Sequence, residues 1–173
     1  MMPPMPIRIT LSLVVLVAAI TDLQSRRIPN WLTLPGVPAG LLAQTVYGDG
    51  FWPGLLGALG GFAALFALFA VGAGGAGDVK LFTVVGAFVG IRNLAPVFVL
   101  VALIGGVAAV VVSLRAGALT RVLKNILLIA AACGRGHWAE FRQRSDMDQP
   151  GALRLAYGAV IALGTWVFLW YPR

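Results

Sequence analysis

Residues 74–80 read Gly-Gly-Ala-Gly-Asp-Val-Lys and interrupt an otherwise apolar part of the chain. One long apolar run ends just before this stretch, and another begins just after it. A carboxylate at the end of a membrane segment is costly, so Asp78 marks a functional site by default. A second carboxylate, Asp22, has the same position at the end of the first apolar run. The sequence therefore raises the hypothesis that Asp22 and Asp78 belong to one site.

The composition is that of an integral membrane protein. The 173 residues are 60% hydrophobic and 11% charged, whereas soluble domains carry roughly 25% charged residues. The mean hydropathy is +0.91, and the length fits one polytopic domain over residues 1–173. The formal net charge is +7. Because most Lys and Arg residues flank apolar runs, this charge indicates membrane topology and contact with lipid headgroups, not nucleic-acid binding.

The chain contains few residues that could form a disulfide or a Cys/His metal site. It contains one cysteine, Cys133, and one histidine, His137. One cysteine cannot form an intramolecular disulfide or a four-cysteine zinc site, and one histidine excludes a histidine-rich metal site. The sequence therefore predicts no metal and no other cofactor.

Six apolar segments predict an all-α integral membrane protein with six transmembrane helices. The predicted spans cover residues 7–23, 31–47, 53–73, 79–91, 94–114 and 152–171. The fourth span is short for a bilayer and needs a helix that starts near Val79 or earlier. Residues 115–150 are basic and hold only a short apolar run, which predicts a cytoplasmic segment with an amphipathic or re-entrant helix at the membrane interface. The first run could also be a secretory signal, but no small-residue cleavage site follows it.

Charge separates the two ends of these segments. Alternating spans divide the 13 Lys and Arg residues into a group of ten and a group of three. The smaller group consists of Arg8, Arg92 and Arg173. The positive-inside rule then places the larger group in the cytoplasm and both termini outside. Asp22 and Asp78 fall on the cytoplasmic side, at the same depth.

Two neighbouring carboxylates can share a proton, so that one acts as a base and the other as an acid. A water held between them can attack an amide carbonyl while the protonated carboxyl donates to its oxygen. This reaction is peptide hydrolysis without a metal or a cysteine. Gly75 and Gly77 would permit unusual backbone angles and the close approach of another chain. Lys80 could bind a phosphate headgroup, neutralise a substrate carboxylate or tune the aspartate pair.

Each of these features also has a simpler interpretation. Asp22 and Arg26 are four residues apart and could form an ion pair at a helix end. Asp78 could cap the N-terminus of the fourth span, where a carboxylate suits the helix dipole. Residues 28–30, Ile-Pro-Asn, could be an ordinary loop between helices, with Asn30 as the cap of the second span.

Three elements together resemble the type IV prepilin peptidases, a family of membrane aspartic proteases. Asp22 followed by Ile-Pro-Asn at 28–30 resembles the family's first aspartate and its Ile-Pro-Asn/Asp element. Residues 75–81, with Gly86 after them, resemble its GxGDxKL element. Residues 156–162 resemble its C-terminal Pro-Tyr-Gly-x-Ala-Ile segment, with alanine at 156 in place of proline and valine at 160 in place of alanine. The elements occur in the family's order and cover essentially the whole chain.

The resemblance implies an aspartic endopeptidase of the bacterial inner membrane that cuts the basic leader from a pilin precursor at the cytoplasmic face. Asp22 and Asp78 would be the catalytic pair. The supporting or substrate-binding residues would be Gly75, Gly77, Lys80, Pro29, Asn30, Tyr157 and Gly158. Bifunctional family members carry an N-terminal cysteine cluster and a methyltransferase activity. Because this chain has only Cys133, a peptidase-only member of the Flp/Tad type is expected.

The partners implied are the prepilin, with its leader and following hydrophobic helix, and membrane lipids. A homo-oligomer stays open. Presenilin-like or signal-peptide-peptidase-like proteases also use GxGD, but the chain lacks their Tyr-Asp and Pro-Ala-Leu elements. Two hypotheses from other classes stay open as well. A proton-coupled carrier could use both aspartates as proton sites, and a non-enzymatic pilus-assembly subunit could pack glycines such as Gly57, Gly60 and Gly61 against partners.

Overall fold

The computed structural model describes residues 2–70, 74–115, 117 and 156–171. Within this part of the chain the secondary structure is entirely α-helical. The helices are α1 (Met5–Ser25), α2 (Asn30–Tyr47), α3 (Phe51–Ala70), α4 (Ala76–Arg115) and α5 (Tyr157–Trp170). The all-α class predicted from the sequence is therefore confirmed for these residues. The predicted interfacial segment 115–150 lies outside the described residues, apart from its first positions.

Three of the helices, α1, α3 and α4, are long and apolar enough to cross a membrane, and α5 is apolar but shorter. Large apolar side chains cover the outer surface of the helices. Leu13, Leu42 and Leu103 are 58%, 66% and 62% exposed, and exposed apolar surface on this scale is suited to lipid. The part of the chain that the structure describes is therefore all-helical and suited to a membrane, while the count of six spans stays a prediction.

Helix α4 turns back on itself at Gly90. This residue has φ 71° and ψ 166°, a backbone conformation that is open essentially only to glycine. The rings of Phe82 and Phe98, one on each side of the break, lie 5.9 Å apart. A straight helix would separate them by roughly 24 Å, so the two arms, 76–89 and 91–115, pack side by side. The predicted spans 79–91 and 94–114 imply a turn at residues 92–93, and the observed turn lies earlier because Gly90 tolerates the required angles.

Helix α3 packs against the first arm of α4 through glycines. A methyl group on Gly57 would overlap the carbonyl oxygen of Gly86, and one on Gly86 would overlap the carbonyl oxygen of Gly57. A methyl group on Gly61 would lie 2.6 Å from the carbonyl oxygen of Phe82. The two backbones therefore touch directly, as small residues allow in membrane helices. Gly57 and Gly61, which the assembly-subunit hypothesis assigned to contacts with partners, thus pack within this chain.

The apolar core lies where α1 and α5 meet the two arms of α4. Ile7, Leu11 and Val15 of α1 are at most 1% exposed, and their spacing of four residues puts them on one helix face. Ile161 and Leu169 of α5 are fully buried in the same cluster. The first arm of α4 is buried along most of its length. Packing in this core holds in place the helix ends that carry the polar residues described below.

Helices α1 and α5 run antiparallel. Near the start of α1, the Arg8 guanidinium lies 4.5 Å from the ring centroid of Trp170, which is the last residue of α5. The Trp170 Nε1–H also donates to Ser12 Oγ at 3.0 Å. Because the start of α1 meets the end of α5, the end of α1 meets the start of α5. Asp22 is thereby brought to Tyr157 and Gly158.

Candidate active site

The residues predicted to form a site all lie at one end of the helix bundle. Asp22 is in the last turn of α1, Asn30 is the first residue of α2, Asp78 is in the first turn of α4 and Tyr157 is the first residue of α5. Helix α1 runs toward this end, and the other three start from it. At the opposite end, Arg92 forms an ion pair with Asp49 in the α2–α3 turn, at 3.6 Å between Nη1 and Oδ2.

Asp22 is a buried carboxylate with an unsatisfied oxygen. Asp22 is only 6% exposed, and its Oδ2 has no hydrogen-bond partner among the described residues. Its main-chain carbonyl accepts a hydrogen bond from the Arg26 N–H at 2.8 Å, which closes α1 in a left-handed turn. Within the described part of the chain, no ion pair joins the Asp22 and Arg26 side chains. The interpretation of Asp22 as half of a helix-end ion pair is therefore wrong.

Asp78 takes part in the start of α4. Its Oδ2 accepts a hydrogen bond from the Gly75 N–H at 3.0 Å. Since α4 begins at Ala76, Asp78 is the third helical residue and reaches back to the residue before the helix, as in one half of a capping box. The capping interpretation is thus correct in kind, although Asp78 is not itself the N-cap. The bond engages one of two carboxylate oxygens, so it is compatible with a chemical role.

Titratable side chains from three helices converge at this end. Asp22 on α1 and Asp78 on α4 are close enough to repel each other electrostatically, and Asp78 also interacts with the Tyr157 hydroxyl on α5. The Tyr157 ring packs on Gly105 of the second α4 arm, where a methyl group would lie 3.2 Å from Cε2. The fold therefore brings two carboxylates and a phenol into one neighbourhood.

Two glycines provide the space for this arrangement. A methyl group on Gly158 would lie 2.8 Å from Asp22 Oδ2 and 2.9 Å from Ile28 Cδ1. A methyl group on Gly77 would lie 3.3 Å from Ile28 Cβ. Gly158 thus lets the start of α5 approach the Asp22 carboxylate directly, and Gly77 lets the start of α4 approach the α1–α2 loop.

Lys80 points to the second helix and not to the aspartates. Its Nζ donates a hydrogen bond to Asn30 Oδ1 at 2.9 Å, and within the described residues neither aspartate accepts a bond from it. The N-cap of α2 is Pro29, and no side chain caps this helix. The expectation that Asn30 caps α2 is therefore wrong. Instead, Asn30 joins the start of α2 to the first turn of α4.

Ile28 was not among the predicted site residues, although it belongs to the Ile-Pro-Asn element at 28–30. Its side chain is 9% exposed and lies beside both Gly77 and Gly158. An apolar residue between Arg27 and Pro29, in a loop at the polar end of the helices, was the available signal. The same loop lines an open groove of about 390 Å³, formed by Thr21, Ser25 and residues 27–31.

No group of three or more His, Cys, Asp or Glu side chains in the described ranges could hold a metal ion. The chemistry that this arrangement offers on its own is that of two carboxylates, one of them buried. Such a pair can exchange a proton with a small polar molecule held between them.

Comparison with known proteins identifies the family. No curated protein and no solved structure matches the chain. The sequence model of the type IV leader peptidase family matches residues 9–110, which is more than half of the 173 residues. The match includes Asp22, the loop that follows it and Asp78, and it ends before Tyr157. The chain therefore belongs to the type IV leader peptidase family, as its resemblance to the prepilin peptidases indicated.

Proposed function

We propose that this protein is an aspartic endopeptidase of the bacterial inner membrane that removes the basic leader from a type IV, Flp-like prepilin at the cytoplasmic face. The observation that carries the proposal is the buried Oδ2 of Asp22, which has no hydrogen-bond partner among the described residues, close to the carboxylate of Asp78. Membership of a leader peptidase family supports the peptidase activity. The catalytic pair is Asp22 and Asp78.

The reaction needs only these two side chains and water. One carboxylate takes a proton from a water, whose oxygen attacks the scissile carbonyl carbon, while the protonated partner donates its proton to the carbonyl oxygen. The resulting tetrahedral intermediate collapses as the C–N bond breaks, and the departing amine takes up a proton from the pair. The products are a free leader carboxylate and a new N-terminus on the pilin.

The remaining site residues position this pair. The Gly75 N–H holds Asp78 by one oxygen, and Gly158 leaves room for the Asp22 carboxylate. The Lys80–Asn30 hydrogen bond ties α2 to α4 beside the site. Gly77 and Tyr157 pack around the same space, and Pro29 lines the groove beside it. These residues support the reaction without taking part in proton transfer.

Charge supports a cytoplasmic site. Arg26, Arg27, Lys80 and Arg115 lie at the end of the described helices that holds the aspartates. Arg8 and Arg92 lie toward the opposite end. By the positive-inside rule, the aspartate end faces the cytoplasm, where anionic lipid headgroups would attract the basic side chains.

The direct test is cleavage of a pilin precursor. The protein is co-expressed with candidate Flp-like prepilins, and the mass of each pilin is measured. We expect a loss equal to the leader, dependent on both Asp22 and Asp78. If no candidate loses its leader and the purified protein instead carries protons or solutes across liposome membranes, the peptidase proposal is wrong and the carrier hypothesis replaces it.

We expect Gly158→Ala to lower kcat for leader removal by roughly 10²-fold, since misplacement of a catalytic group by about 1 Å can cost that much. The added methyl group would lie 2.8 Å from Asp22 Oδ2 and must displace the carboxylate. The matched control is Gly106→Ala, because a methyl group there meets nothing within 4 Å. Equal kcat values for the two purified variants would contradict the placement of Gly158 against the catalytic carboxylate.

A further inference from the structure

We infer that Ile28 is a positioning residue, whose side chain acts as a spacer between the starts of α4 and α5 and thereby sets the distance between Asp22 and Asp78. The inference rests on the proposed function for its kinetic consequence. Its geometric consequence, a defined separation of the two positions, can be measured whether or not the protein is a peptidase.

The Ile28 side chain is directed into the helix bundle. Ile28 lies in the short loop between α1 and α2, which begins at Arg26 with φ 51°, an uncommon angle for a residue with a side chain. Arg26 and Arg27 are exposed, whereas Ile28 is buried. A loop that turns sharply to bury one apolar side chain at the polar end of a bundle gains contacts with the helix starts beneath it.

The Ile28 side chain contacts both helix starts. A methyl group on Gly77 would lie 3.3 Å from Ile28 Cβ and 3.6 Å from its Cδ1, and one on Gly158 would lie 2.9 Å from the same Cδ1. Gly77 immediately precedes Asp78, and Gly158 is the residue that approaches Asp22 Oδ2. Ile28 therefore lies between the backbone that carries Asp78 and the residue that packs against Asp22, and its Cδ1 contacts both.

The loop that carries Ile28 is also anchored to α4. Two residues after Ile28, the Asn30 side chain accepts a hydrogen bond from Lys80 at 2.9 Å. Lys80 is two residues beyond Asp78 on α4. The loop is thus attached to the first turn of α4 on both sides of Asp78, by an apolar contact at Gly77 and by a hydrogen bond at Lys80. Because the loop is held at both points, a change in the size of the Ile28 side chain would move the helix starts that it contacts.

The geometric experiment uses cross-linking of the full chain in membranes. Asp22→Cys and Asp78→Cys are combined in a Cys133→Ala background, and short thiol-specific cross-linkers of graded length are applied. We expect Ile28→Ala to shift the preferred linker length or to lower the yield with the shortest linker several-fold. Ile7→Ala is the matched control, because Ile7 is fully buried near the other end of α1. An unchanged linker profile in Ile28→Ala would overturn the inference.

The kinetic experiment uses Ile28→Val, which removes Cδ1 and keeps Cβ, and therefore folds more readily than the alanine variant. We expect kcat for leader removal to fall about tenfold with KM within about twofold, as for a displaced catalytic group. Ile7→Val should leave both constants unchanged. A rise in KM at constant kcat, or an equal loss in Ile7→Val, would overturn the positioning role. Full cleavage by Asp22→Asn would instead overturn the proposed function and leave the cross-linking result standing.

Discussion

Asp22→Asn and Asp78→Asn are each expected to lower the rate of leader removal by about 10²–10⁴-fold, while both variants stay in the membrane at normal levels. Asparagine has nearly the shape of aspartate but can neither accept the proton of the attacking water nor donate one to the carbonyl oxygen, and loss of a positioned acid or base costs 10²–10⁴-fold. The measurement is single-turnover cleavage of a purified prepilin in detergent or liposomes.

The matched control is Asp49→Asn. Asp49 is also a carboxylate of the described helical bundle, but it pairs with Arg92 at the opposite end. Its replacement should leave cleavage unchanged. Retained cleavage by either Asp22→Asn or Asp78→Asn would exclude the two-carboxylate mechanism. An equal loss in Asp49→Asn would show that the effect arises from charge removal in general.

Gly86→Ala is expected to destabilise the helix bundle by about 1–3 kcal/mol or more, the range seen when a methyl group is forced into a packed core. For a chain of this length, 1–3 kcal/mol corresponds to a fall in Tm of roughly 2–12 °C. The added methyl group would overlap the carbonyl oxygen of Gly57. Because this obstacle is helix backbone and not the end of a flexible side chain, α3 and α4 must move apart. Thermal unfolding in detergent, followed by aggregation or circular dichroism, measures the change.

Gly106→Ala serves as the control for Gly86→Ala. Both glycines lie within α4, so both substitutions gain the same helix propensity, about 1 kcal/mol in favour of alanine. A methyl group at Gly106 meets nothing within 4 Å. The Tm of the Gly106→Ala variant should therefore equal or exceed that of the unsubstituted protein. If the two variants have the same Tm, direct backbone contact between α3 and α4 is refuted.

Much of this protein can be predicted from local patterns. Its hydropathy is high enough to require helices in lipid, since a membrane chain must satisfy its backbone hydrogen bonds internally. The apolar runs therefore predicted helices whose observed bounds differ by a few residues, as with 7–23 against Met5–Ser25. The carboxylates Asp22 and Asp78 also stood out, because charge is rare at the end of such runs.

The placement of the turn in α4 shows where local patterns fail. Arg92 and Asn93 are polar and so predicted a turn, but they continue the helix, with the Asn93 side chain donating to the Val89 carbonyl at 3.0 Å. The break is at Gly90, which adopts φ 71° and ψ 166°, angles that glycine tolerates and that local polarity does not indicate. The would-be methyl group of Gly90 points toward the buried amide of Gln44.

The sequence by itself determined that the chain is a helical membrane protein of the leader peptidase family and which two carboxylates are candidates for its chemistry, because hydropathy and motif spacing are properties of the chain alone. Only the tertiary structure decided what surrounds those carboxylates. It buried Asp22 Oδ2 where no group of the described helices and loops donates to it, paired Lys80 with Asn30 and put Ile28 between the helix starts. These contacts join residues far apart in the chain, and they depend on how closely glycine faces let the helices pack.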